Sequence, residues 1–205
     1  MTEVKVCGLM SERDVRIAEE ADHLGFVVAT GTRRSLEPSA ARDLMAGAGK
    51  PTVAVVTSAD PAFIIDLVRD LRPGAVQLSG PVGREAMEAV TDEAGCEIWA
   101  VVHIDDAVPT LDLGTLSLAD RVVLDTATPQ GGGSGRTHDL DVSARLVREL
   151  GSRTSLAGGL TPENVAAAVR KVRPSMVDVS SGVETQGKKD AAKIRRFIDE
   201  VRGCH

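Results

Sequence analysis

The sequence predicts an α/β fold in which eight strand–helix units close into a single (β/α)8 (TIM) barrel. Three observations carry this expectation. Short β-branched runs alternate with amphipathic helical stretches from end to end. Eight such units in 205 residues average roughly 25 residues each, near the lower size limit of the architecture. Polar residues that break the apolar strand pattern gather where strands stop, as they do at the active end of such barrels. A doubly wound open sheet is the competing arrangement, but Gly8-Leu9-Met10-Ser11 follows the first strand instead of G-x-G-x-x-G. No linker or shift in composition divides the chain, so one domain over residues 1–205 is expected.

The first predicted strand, Val4–Cys7, leads to Ser11, a helix cap with Glu12 and Asp14 in the turn behind it. His23–Val28 and Thr52–Val56 follow. Asp60-Pro61, a cap and a first helical position, opens a helix through Leu71. Ala75–Leu78 and Glu97–Val102 come next, and the fifth helix is placed around Asp106–Leu113 although Pro109 interrupts it. Arg121–Asp125 is separated from Thr154–Ala157 by the longest spacing between successive strands. Thr161-Pro162-Glu163 opens a helix through Val172, with Val165, Ala168, Val169 and Val172 at helical spacing. Met176–Ser180 is the eighth strand.

Composition narrows the function classes. With three Phe, one Trp and no Tyr, the core must be aliphatic, as in sheets buried on both faces. A net charge of −6 and the lack of a basic patch interleaved with aromatics exclude a nucleic-acid surface. The densest basic cluster, Lys188-Lys189 with Lys193, Arg195 and Arg196, is expected on a solvated helix face. No apolar run approaches the ~20 residues that span a bilayer, and the acidic N-terminus is not a signal peptide. Cys7, Cys96 and Cys204 fit neither a disulfide framework nor a zinc spacing, which suggests a cytoplasmic protein with reduced thiols.

The candidate chemistry sits at strand ends. Alternation puts Lys5 with Cys7, Gln77 with Ser79, and Asp178 with Ser180 on the inward face. A carboxylate ending Val122-Val123-Leu124-Asp125 needs a reason, because unpaired buried charge is costly. With Cys7 it suggests an acid–base pair. Gln130-Gly131-Gly132-Gly133-Ser134-Gly135-Arg136 lacks the Lys and leading Gly of a nucleotide P-loop but can turn backbone N–H groups toward an anion. Gly158-Gly159 and Ser181-Gly182 follow strands seven and eight, where barrels bind phosphate. In Thr32-Arg33-Arg34-Ser35, after the second strand, an arginine can hold a carboxylate in a bidentate fork, but by the residues alone an exposed loop arginine with no such task is the expected reading.

These stretches resemble the phosphoribosylanthranilate isomerase family of tryptophan biosynthesis over essentially the whole chain. The resemblance is carried by Lys5-Val6-Cys7-Gly8-Leu9, Val76-Gln77-Leu78, Leu124-Asp125, Gly132-Gly133-Ser134-Gly135-Arg136-Thr137, Leu156-Ala157-Gly158-Gly159-Leu160 and Val177-Asp178-Val179-Ser180-Ser181-Gly182-Val183-Glu184. It implies a cofactor-free Amadori rearrangement of N-(5-phosphoribosyl)anthranilate to the 1-deoxyribulose 5-phosphate, with Cys7 as general base and Asp125 as general acid. Arg34 and Asp178 are implied to contact the anthranilate carboxylate and nitrogen, and Gln77 to bind the substrate with them. The phosphate is implied to rest on Gly133-Ser134-Gly135, Gly158-Gly159 and Ser181-Gly182. The partner is a small sugar phosphate, with no nucleic acid or membrane, and the chain is a monomer or a homodimer. Ser79 stands where the family usually has His, and His103 follows strand five where a lysine is common. A related aminosugar-phosphate isomerase and a catalytically silent phosphate-binding barrel are the alternatives.

Overall fold

The computed structural model describes residues 1–105, 111–126 and 137–204. Eight parallel strands form a closed barrel: β1 (Glu3–Cys7), β2 (His23–Val28), β3 (Thr52–Val56), β4 (Ala75–Leu78), β5 (Glu97–Ile104), β6 (Arg121–Thr126), β7 (Thr154–Leu156) and β8 (Met176–Val179). Each strand pairs with its sequence neighbours, and β1 closes the ring by pairing with both β2 and β8. Helices α1 (Glu12–Ala18), α2 (Pro38–Ala46), α3 (Pro61–Leu71), α4 (Arg84–Glu93), α5 (Leu113–Leu116), α6 (Leu140–Leu150), α7 (Val165–Val172) and α8 (Ala191–Arg202) alternate with the strands. Among the described residues, no helix is long and apolar enough to cross a membrane.

The period-two alternation of the strands sorts the core into two layers. Val6, Leu78, Leu124 and Val179 face outward and pack with Ile64, Val165, Phe197 and other helix residues. Cys7, Val53, Val55, Ala75, Trp99, Val123, Ala157 and Met176 fill the barrel itself. Large aliphatic residues therefore hold the helices on, while the inward positions near the strand ends are left for polar groups.

Several predicted boundaries move. The seventh helix begins at Val165, not at Thr161-Pro162, because Asn164 folds back on the preceding turn. Its side chain accepts from Thr161 N at 2.8 Å and donates to the Gly159 carbonyl at 3.0 Å, closing a local turn that competes with helix. The fifth helix lies at Leu113–Leu116, capped by Asp112, while residues 106–110 lie outside the described residues. Lys188 and Lys189 are not on a helix: they form a two-residue strand paired with Glu184–Thr185. Gln186 and Gly187, both with positive φ (51° and 75°), make the tight turn between them.

Candidate active site

A cavity of about 460 Å³ opens at the C-terminal ends of the strands, with lining residues from all eight units. Cys7, Gln77, Asp125 and Asp178 enter from β1, β4, β6 and β8, and Arg34 from the loop after β2. Gly158, Gly159, Ser181 and Gly182 form the rim over β7 and β8.

Beneath the floor lies Lys5, fully buried. Its Nζ donates to Asp178 Oδ2 at 2.6 Å and to Gln77 Oε1 at 3.0 Å. Strand register sets this up, since Lys5 is the direct partner of Asp178 across the β1–β8 pairing. Asp178 Oδ1 is buried and has no hydrogen-bond partner among the described residues. The Cys7 thiol is pushed up by burial; the Lys5 ammonium pulls against this, and the Asp178 charge adds to it.

Asp125 stands across the cavity. Burial, then the charge of Asp178, pushes its carboxyl up to about 6, against the opposing influence of His103 and Lys5. A carboxylic acid tuned toward neutrality can hold a proton and give it up under the same conditions. His103 is the register partner of Asp125, and its Nε2 meets the Ser79 carbonyl oxygen at 3.2 Å. His103, at the position where the family commonly has a lysine, lines the pocket.

The Arg34 wall is built around Glu184, whose side chain is only 8% exposed. Glu184 accepts from Arg34 Nε at 2.8 Å and Nη2 at 3.1 Å, from Arg33 Nη2 at 2.9 Å and from Lys189 Nζ at 3.1 Å. Burial alone would raise its carboxyl, but hydrogen bonds from Arg34 and the charge of Lys189 win and hold it at about 2. Lys189, expected to be solvated, is 4% exposed and also donates to the Ser180 carbonyl at 2.9 Å. The hairpin turn at Gln186-Gly187 is what folds it inward. That turn was the signal available in the sequence.

On the rim, Gly158 and Gly159 take φ of 85° and 67°, a region that side chains avoid. A Cβ on Gly158 would collide with Thr126. Thr126 is fixed in turn by His138, whose Nδ1 meets Thr126 Oγ1 at 2.8 Å and whose Nε2 meets the Ser143 hydroxyl. The sequence did not flag this buried His138–Ser143–Thr126 chain. Gly133, Ser134 and Gly135, predicted to touch phosphate, lie outside the described residues. Among the described residues no group of three or more His, Cys, Asp or Glu is arranged to hold a metal ion.

The model for the family described as N-(5'phosphoribosyl)anthranilate (PRA) isomerase matches residues 4–200. The N-(5'-phosphoribosyl)anthranilate isomerase of Methanothrix thermoacetophila is 41% identical over 213 residues, covering 100% of both chains. Among solved structures, the phosphoribosyl anthranilate isomerase of Thermotoga maritima superposes with a TM-score of 0.84 at 32% identity, covering 99% of this chain and 100% of that one. Another isomerase of this name was solved in complex with reduced 1-(o-carboxyphenylamino)-1-deoxyribulose 5-phosphate. It matches with a TM-score of 0.79 at 28% identity, covering 99% of this chain and 100% of that one.

Proposed function

The chain belongs to the N-(5'-phosphoribosyl)anthranilate isomerase family, and from that premise we propose how its own residues divide the work. The enzyme is an isomerase of tryptophan biosynthesis, and its reaction moves hydrogen within one sugar phosphate. Two proton transfers, one from an acid and one to a base, reach the enolamine, whose own tautomerisation then moves the C2 hydroxyl proton to C1. Asp125 gives a proton to the ribose ring oxygen, the ring opens, and an iminium forms at C1. Cys7 takes the proton from C2, which the iminium has acidified, and the enolamine tautomerises to the ketone.

The observation that carries this reading is that Cys7 of β1 and Asp125 of β6 line one cavity, with Asp125 held near 6. A thiol acts as base only through its thiolate, and an acid only while protonated. With Cys7 raised and Asp125 near 6, the active form carries its protons in the minority arrangement, and its population is level between the two titrations. Asp178, held by Lys5 through Oδ2, has Oδ1 left for the substrate nitrogen. Glu184 occupies two of the five N–H groups of Arg34, so the anthranilate carboxylate is met by the remaining edge of the guanidinium. The phosphate rests on backbone N–H groups at Gly158-Gly159 and Ser181-Gly182.

The test is direct. Purified protein is given N-(5-phosphoribosyl)anthranilate made in situ, and loss of substrate fluorescence is followed for wild type, Cys7→Ala and Asp125→Ala. Rapid loss that either substitution abolishes is expected. Undiminished turnover in a folded Cys7→Ala or Asp125→Ala protein would overturn that residue's role.

A further inference from the structure

We propose that Lys5 is a positioning residue for this reaction: its buried ammonium holds Asp178 by one oxygen and stands beside the Cys7 sulfur as counter-charge to the thiolate. The proposal rests on the reading of Cys7 as base.

Lys5 has no exposed surface and ranks among the largest fully buried side chains. Burying an ammonium is expensive, and a single ion pair inside a protein often fails to recover the cost against an apolar replacement. A lysine kept there needs a task that an apolar residue cannot perform. Its three N–H groups have a countable set of partners. Asp178 Oδ2 takes one at 2.6 Å and Gln77 Oε1 takes another at 3.0 Å. The third is left for Cys7, two residues along the same inward face.

Gly25 makes that arrangement possible. It is the register partner of Cys7 on β2. A Cβ there would stand 2.9 Å from Lys5 Cε and 3.0 Å from Cys7 Sγ. The lysine stem and the sulfur therefore share the space that a side chain at position 25 would fill, which brings them together as neighbours. A purely structural ion pair would require neither the thiol beside it nor the open position on the next strand.

The charges around Cys7 are few. Lys5 faces it from its own strand, Asp178 from β8 and Lys189 from the hairpin after β8, while Gly25 and Val27 of β2 are uncharged. The Asp178 charge also reaches Asp125 on β6. Of these charges, Lys5 has the largest effect on the thiol and favours thiolate; Asp178 opposes it more weakly. Removing Lys5 must therefore make thiolate harder to form. Removing the Asp178 charge alone must make it easier. Removing both must still leave it harder than in the wild type.

These three signs define the experiment. In a Cys96→Ala/Cys204→Ala background, the rate of Cys7 alkylation by iodoacetamide is followed from pH 6 to 11, with circular dichroism as the check on folding. The proposal expects the midpoint to rise in Lys5→Met and in Lys5→Met/Asp178→Asn, with alkylation at pH 8 falling about tenfold or more in the single variant. It expects the midpoint to fall in Asp178→Asn. Lys5→Met, where folded, should also lose about 100-fold in kcat with a much smaller change in KM. The double variant keeps the core neutral, and Asp178→Asn keeps Lys5, so the signs remain readable if the single lysine variant does not fold. A midpoint that stays put or falls without Lys5, or that stays put or rises in Asp178→Asn, overturns the proposal. Alkylation does not require turnover, so this failure is distinct from finding that Cys7→Ala remains active.

Discussion

The two ends of the barrel interior use similar ingredients to opposite purposes. At the N-terminal end, Arg121 pairs with Glu3 at 3.0 Å and lies over the Trp99 ring at 5.0 Å. His23 meets the same ring edge-on at 5.3 Å, and the indole N–H donates to Glu97 at 2.9 Å. Among the described residues, Arg121 Nε and Ser155 Oγ there are buried without a partner, and Glu3 reaches solvent with 43% of its side chain exposed. At the C-terminal end Lys5, Cys7, Asp125 and Asp178 converge on a cavity, with a carboxylate oxygen unmet and a carboxyl shifted toward neutrality. One end spends its charges on closing the barrel. The other pairs Asp178 with Lys5 through one oxygen and leaves its second oxygen and the Asp125 carboxyl at the cavity.

That contrast predicts what mutations break. The largest effect belongs to the open end: Cys7→Ala or Asp125→Asn should lower kcat by about 10³-fold or more, measured by substrate fluorescence, while leaving the unfolding midpoint at neutral pH no lower than wild type. The sealed end should respond the other way. Trp99→Ala should cost about 3–5 kcal/mol in urea unfolding, with kcat of the folded fraction changing little. If Trp99→Ala instead abolished turnover in folded protein, the division between the ends would fail.

A finer contrast lies in pH. Asp125 has a folded-state value of about 6, above its ordinary value, so the folded protein binds the extra proton and stability falls as pH rises from about 4 to 6. Asp125→Asn should therefore stabilise the protein by about 1–3 kcal/mol at pH 8 and by almost nothing at pH 4. His23 at the sealed end is shifted down by burial, so its contribution has the opposite sign: stability is lost as pH falls through the ordinary histidine range. Thermal melts of wild type and Asp125→Asn across this range separate the two. The smallest effect is expected outside the barrel. The exposed Arg42–Asp70 pair at 2.7 Å should be worth less than about 1 kcal/mol, so Arg42→Ala should barely move the melt.

Much of this was legible in the sequence because strand alternation is a strong rule. It placed Lys5, Cys7, Gln77 and Asp178 inward, and three strands, His23–Val28, Thr52–Val56 and Ala75–Leu78, match their predicted ends. What alternation could not supply was partnership between distant residues. Lys5 meets Asp178 only through the register of β1 on β8, a contact made by barrel closure. Lys189 looked like one more solvated charge until the Gln186-Gly187 turn carried it back against Glu184. Glu184 and Arg34 meet across 150 positions of chain. The Thr161-Pro162 start misled because Asn164 offered the backbone a tighter local turn.

The measurement that tests the central claim most directly is the pH dependence of kcat/KM for wild type and Asp125→Asn. With Asp125 as acid and Cys7 as base, the wild-type rate should rise with pH, level off near 6 as Asp125 ionises, and fall only at alkaline pH. Asp125→Asn should be slow, and should climb through pH 6 without levelling off. A wild-type profile with no break near 6, or a break that survives in Asp125→Asn, would contradict the assignment of the acid at the open end of the barrel.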